Sequence, residues 1–172
     1  IAERVSRELD DNEQAQKRAQ KIVMLASKFR YVPSVEAARR AIAEGALGTV
    51  RSAEIVFSGV LDMRNRWNSD ARLSGGGVII DNGSHAVDLA RYVFGPLAEV
   101  SAATYAHAQA LDVEDSACLA RRTESGGTVG IDLTWSYQRK CPQFRFSECT
   151  GGVLSAGWAE SYLQWALARE RT

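Results

Sequence analysis

The strongest constraint in this sequence is a change of hydrophobic period partway along it. Up to Phe94 apolar residues recur mainly at helical spacing, whereas from Ala98 to Thr150 they alternate with polar ones as half-buried strands require. The alternating runs, at about 99–106, 116–123, 128–137 and 144–150, follow one another closely. Ser125-Gly126-Gly127 and Gly151-Gly152 supply reversals, the second leading into a further short strand at 153–156. Sequential hairpins preceded by helices predict an α+β domain: a mainly antiparallel open sheet with helices packed on one face.

The helical part divides at its punctuation. Ile1, Val5, Leu9, Ala15, Ala19 and Ile22 form a drifting stripe, which predicts a helix over 1–20 with a narrow buried face. The apolar run at 22–29 is too short for a helix and closes at Pro33, so it reads as a largely buried strand. Ser34 offers an N-cap to a helix carrying Val35, Ala38, Ile42 and Ala46, which Gly45 and Gly48 stop. A β-type segment at 50–61 and an aperiodic loop at 62–74 containing Trp67 come next. Gly75-Gly76-Gly77 then opens a helix over 78–94, more apolar than the others, which Gly95-Pro96 ends. The tail, 159–169, reads as a closing helix.

Charge and cysteine content exclude several classes of function. Twenty-one Lys and Arg balance twenty-one Asp and Glu, so no global field attracts a polyanion, and no local basic patch replaces it. No apolar run approaches the roughly 20 residues of a membrane span. Neither nucleic acid nor a membrane is therefore an expected partner. The chain opens within a charged helix and has no apolar leader, which predicts a piece of a longer protein. Cys118, Cys141 and Cys149 show no paired spacing, so they suit a reducing cytoplasm, with Cys118 expected as a small buried hydrophobe.

Histidine chemistry has two places to sit, His85 and His107. Asp81 precedes His85 by four residues and Asp88 follows it by three, which puts all three on one helical face. A carboxylate beside an imidazole orients the ring and stabilises its protonated form, so His85 with Asp81 is a candidate general acid/base. The same spacing also describes an exposed ion pair, or a two-carboxylate, one-histidine metal site without a supporting second histidine, and no metal is expected. The apolar helix favours a functional use, because polar groups there need partners. The three glycines let a ligand approach backbone N–H groups that favour anions. His107, with Asp112, Glu114 and Asp115, reads as a solvated acidic turn. No G-x-G-x-x-G, P-loop or nucleophile-elbow motif occurs, so no cofactor-binding residue is assigned within the chain.

The stretch W-N-S-D-A-R-L-S-G-G-G-V-I-I-D-N-G-S-H-A-V-D-L-A-R-Y-V-F-G at 67–95 resembles the signature of the glucose-fructose oxidoreductase / inositol dehydrogenase / MocA family. Lys28 to Pro33 resembles that family's R-x-x-P segment, and Glu44 to Val50 its G-x-x-G-x-V helix end. The resemblance implies that residues 1–157 are the C-terminal substrate-binding and oligomerisation domain of a two-domain dehydrogenase, with 158–172 a helical tail. The Rossmann domain that would carry NAD or NADP is then absent, and so is the lysine of the family's Glu-Lys-Pro motif. It also implies His85 as acid/base and Asp81 beside it, with Arg30, Lys28, Trp67 and Asp88 in the substrate pocket or its support. The expected substrate is a sugar, inositol or related polyol, and the expected assembly a homo-oligomer, such as a dimer, formed through the sheet. The alternative is a non-catalytic module that self-associates through an open sheet face rich in Trp135, Tyr137 and Phe144.

Overall fold

The computed structural model describes residues 2–24, 26–105, 107–123, 126–140, 143–157 and 162–167, without the side chains of residues 2–9, 146–148, 162, 163, 165 and 167. In chain order the elements are α1 (Ala2–Ala19), a 3-10 turn (Lys28–Tyr31), α2 (Pro33–Ala43), β1 (Val50–Val60), a second 3-10 turn (Trp67–Ser69), α3 (Ala71–Ser74) and α4 (Asn82–Phe94). The strands β2 (Leu97–Thr104), β3 (Ser116–Thr123), β4 (Thr128–Thr134), β5 (Ser136–Tyr137), β6 (Phe144–Cys149), β7 (Gly152–Gly157) and β8 (Tyr162–Leu167) complete the chain.

The sheet runs β2-β3-β4-β1-β6-β7-β8, with β5 paired to the far end of β1. Among the described residues only β1 and β4 run parallel, Ile55 opposite Ile131, because α4, β2 and β3 intervene and return the chain in the same direction. The other pairings among the described residues are antiparallel, so the α+β reading holds. One face is covered by α2 and α4. Val35 and Ala38 of α2 and Ala86, Leu89 and Ala90 of α4 meet Ile55, Ile131, Leu133, Leu154 and Ala156 of the sheet, each without accessible surface or nearly so. Burying such side chains contributes about 1.5–3 kcal/mol each for the larger ones, and this core is what fixes α4 on the sheet.

The opposite face is open. Register puts Ser101, Ala120, Gly130 and Glu54 side by side, and Ala103, Cys118 and Asp132 in the next row. This differs from the aromatic face expected from sequence. Trp135 and Phe144 are fully buried, and only Tyr137 of the three is exposed. Phe144 pairs with Ile55 and Ala156 and shares their inward face. Alternation sets a period but not which parity faces the core.

Several boundaries also shift. The described residues of 22–29 form no strand: Ile22 is 93% exposed and Met24 74%, with no strand paired to them among the described residues. From Asp10 onward α1 is almost wholly exposed, so Ala15, Ala19 and Ile22 of the expected stripe are not buried, while the side chains of Ile1, Val5 and Leu9 lie outside what is described. The cap of α2 is Val32 with Pro33 in the first turn, while Ser34 lies inside the helix and donates its hydroxyl to the Gly157 carbonyl at 3.0 Å. The part of the expected tail helix that is described is strand β8, hydrogen-bonded to β7, the remainder lying outside the described residues. Cys118 and Cys149 are half-buried, so Cys118 is less enclosed than expected, and Cys141 lies outside the described residues. No helix among the described residues is long and apolar enough to cross a membrane.

Candidate functional site

The helix expected from residue 78 begins at Asn82, because residues 77–81 form a separate turn that a distant acid holds in place. Glu114 accepts the N–H of Gly77 at 3.0 Å and of Ile79 at 3.1 Å through one carboxylate oxygen, and its carbonyl accepts the N–H of Val78 at 2.9 Å. The glycine triplet therefore serves backbone packing rather than an anionic ligand, since the donors in question are already used. A Cβ at Gly77 would stand 2.0 Å from the Glu114 carbonyl oxygen, which explains why glycine is needed there.

The acidic turn around His107 is likewise not a solvated one. His107 and Asp112 are exposed, but Asp115 has no accessible surface. Its Oδ2 accepts the N–H groups of Ala108 at 2.8 Å and Gln109 at 2.7 Å and the Ser136 hydroxyl at 2.8 Å. Burial pushes the Asp115 carboxyl upward, and the hydrogen bonds from Ser136, Gln109, Ser116 and Ala108 outweigh it, leaving the group below its ordinary value. The ends of β3 and β4 are thus tied to the loop before them.

His85 sits in the first turn of α4, half-buried, on the wall of a cleft of about 640 Å³ that Ser27, Arg30, Asp88, Arg91, Tyr92 and Pro96 also line. Its ring lies edge-to-face against Phe29, with centroids 5.2 Å apart and planes at 74°. Arg30 donates from Nε to Asp88 Oδ2 at 2.8 Å and from Nη2 to Oδ1, a two-point ion pair joining the 3-10 turn to α4. The Arg30 guanidinium, followed by a hydrogen bond from Ser27, holds the Asp88 carboxyl below its ordinary value against the opposing effect of burial.

The expected set is therefore only partly brought together. Arg30, His85 and Asp88 line one cleft. Asp81 precedes α4 as its cap residue, and its carboxylate accepts from Asn68 Nδ2 at 3.3 Å. Its neighbour in the loop, Trp67, is 68% exposed, and Lys28 is exposed with its ammonium 5.2 Å from the Phe29 ring centre. No group of three His, Cys, Asp or Glu among the described residues is placed to hold a metal ion. Sequence reasoning passed over Phe29 and Asn68, and placed Glu114 only in a solvated acidic turn. Phe29 and Asn68 directly adjoin residues it named, so proximity in the chain was the available signal, whereas Glu114 left none that points to Gly77.

As a chemical device the cleft offers an imidazole on its wall, steadied by an aromatic ring and flanked by a neutralised ion pair. It can exchange a proton with a hydroxyl or carbonyl group placed against it.

Residues 35–154 match the GFO/IDH/MocA C-terminal domain family. The chain is 32% identical over 123 residues to D-apiose dehydrogenase of Paraburkholderia graminis, a match covering 66% of this chain and 30% of that protein. Among solved structures it resembles an NAD-binding protein from Listeria innocua, with a TM-score of 0.83 and 19% identity over 96% of this chain and 47% of the other. It also resembles the WlbA dehydrogenase of Bordetella pertussis, solved with NADH and UDP-GlcNAcA, with a TM-score of 0.75 and 21% identity over 91% of this chain and 50% of the other. The chain thus spans half or less of the length of each. It belongs to the GFO/IDH/MocA C-terminal domain family.

Proposed function

We propose that this member of the GFO/IDH/MocA C-terminal domain family is the substrate-side domain of an NAD(P)-dependent oxidoreductase acting on a CH–OH group of a sugar or related polyol. The observation that carries the reading is the half-buried imidazole of His85 lining a cleft large enough for a small polar molecule. In the oxidative direction the substrate hydroxyl gives its proton to a ring nitrogen of His85, and in the reductive direction the imidazolium returns it. The hydride belongs to the nicotinamide's own chemistry, and this domain supplies position and a proton. The cofactor is held by a part of the parent protein outside this chain. Asp81, which accepts a hydrogen bond from Asn68, is assigned in this reading to bind substrate beside the imidazole, while Lys28 and Trp67 are exposed groups available to close over the bound sugar.

D-apiose dehydrogenase and the WlbA complex with NADH and UDP-GlcNAcA support the sugar and the cofactor class. In the parent protein, His85→Ala should lower turnover roughly 10²-fold or more with normal folding. Unchanged kinetics would remove His85 from the mechanism. Calorimetry should detect no micromolar NAD(H) binding by this chain alone, and such binding would refute the division of labour proposed for it.

The open face of the sheet supports a second, compatible part of the reading, self-association. Small side chains at Ser101, Ala103, Ala120 and Gly130 leave a shallow trough of about 310 Å³, bordered by Asp132 and Glu54. Arg139 bridges these acids, at 2.7 Å and 3.3 Å. A like face can approach such a surface closely. Sedimentation should show concentration-dependent association, and a strict monomer at all concentrations would exclude it.

A further inference from the structure

We infer that Phe29 is a positioning residue for His85, and that Arg30 and Asp88 form the latch that holds it there rather than contacts to the substrate; the inference rests on His85 being the proton-exchanging group. Phe29 stands between two rings. It meets His85 at 5.2 Å and 74°, and Phe57 of β1 at 5.2 Å and 81°, so the imidazole is braced through Phe29 against the sheet. Edge-to-face contacts of this kind define a ring's orientation as well as its distance.

No residue of the turn that carries Phe29 is fully buried, and Phe29 itself packs only partly buried against the core. The turn's polar anchor is the two-point pair from Arg30 to Asp88, and Asp88 lies three residues beyond His85, on the same face of α4. Around that pair, Tyr92 lies 5.3 Å from the Arg30 guanidinium and 4.6 Å from that of Arg39. Arg39 also donates to the Tyr92 carbonyl at 3.2 Å. Asp88 accepts from both Arg30 nitrogens and from Ser27, which leaves its carboxylate largely committed. These groups fix the turn over His85 and, through it, the direction in which the imidazole faces the cleft.

The chain has two histidines, so NMR of the imidazole C–H groups reads His85 directly once His107→Gln has identified the other. In the wild type the His85 resonances should be displaced by the Phe29 ring current. Phe29→Leu should move them towards those of His107, and Phe29→Tyr, which keeps the ring, should not. Arg30→Gln should move them in the same direction as Phe29→Leu without touching the imidazole, which also decides the matter if Phe29→Leu fails to fold. Resonances that stay in place in Arg30→Gln would overturn the latch, and resonances that stay in place in Phe29→Leu would overturn the positioning role.

In the parent protein, Phe29→Leu should lower kcat about tenfold with KM little changed, and Phe29→Tyr should restore it. A raised KM with unchanged kcat would make Phe29 a wall of the substrate pocket and overturn the inference. An inert His85→Ala would instead sink the proton-exchange reading while leaving the NMR result standing.

Discussion

Gly77→Ala is the substitution whose cost the structure specifies best. The added Cβ would lie 2.0 Å from the Glu114 carbonyl oxygen and 2.9 Å from its carbonyl carbon and amide nitrogen, all backbone atoms that cannot swing aside. Ordinary contact begins near 3.4 Å, so the two segments must part by a distance on the order of 1 Å. That displacement stretches the Val78 N–H bond to the Glu114 carbonyl and both N–H bonds to its carboxylate. A neutral hydrogen bond contributes about 1 kcal/mol and one to a carboxylate about 1.5–3 kcal/mol. Losses within one cluster do not add in full, so a total near 3 kcal/mol is expected. For a chain of this length that lowers Tm by roughly 6–12 °C.

Gly75→Ala is the control. Gly75 has φ +77° with nothing within 4 Å of an added Cβ, so it meets only left-handed strain of about 1–2 kcal/mol. Urea unfolding followed by tryptophan fluorescence, with Trp135 fully buried as a reporter, measures both. The reasoning is refuted if Gly75→Ala destabilises as much as Gly77→Ala, or if Gly77→Ala costs less than about 1 kcal/mol.

Asp115→Asn should destabilise the chain by about 2 kcal/mol or more, because a buried carboxylate oxygen accepts two N–H groups and a hydroxyl; a urea midpoint unchanged from wild type would contradict this. Asp88 and Asp115 are both held below the ordinary 3.8, so their contributions are fully present above that value and are lost as pH falls through their lower folded values. Thermal melts should therefore be insensitive to these groups near neutrality and fall below about pH 4, and Asp88→Asn should flatten the acid limb; an unaltered limb would deny Asp88 its share.

What the sequence disclosed divides by distance along the chain. Helix α2 was legible because its signals are local: Pro33 in the first turn and apolar residues at helical spacing. The sheet was legible in its period, since residues 116–123 and 128–134 alternate as strands with one buried face should. Its parity was not, and the alternative reading of an open face rich in Trp135 and Phe144 fails because both are fully buried. The tail shows tertiary override: Leu163 and Ala166 sit at spacing that a helix could use, yet the open edge of β7 offers backbone partners that recruit 162–167 as a strand. Residues 22–29 show the reverse. An apolar run suited to a strand finds no edge among the described residues, and Ile22 and Met24 face outward.

The candidate site follows the same division, with a consequence for how its parts act. His85 and Asp88 were found together because three residues along a helix is a local relation that spacing encodes. Asp81 was placed on the same face by the same rule, but it is the cap residue rather than part of the helix, because Glu114, 37 residues beyond Gly77, captures the preceding turn and the helix begins at Asn82. An arrangement set only by α4 would move as a unit with that helix. This one is fixed from three sides: the Glu114 clamp holds the turn ahead of the helix, Asn68 holds Asp81, and the latched 3-10 turn braces the imidazole through Phe29. The carboxylate and the imidazole thus stand on separate supports, and their relative placement can be adjusted by substitutions in segments that touch only one of them. Under the proposed function, such an arrangement would let the cleft be retuned for a different hydroxyl geometry while the imidazole keeps its seat.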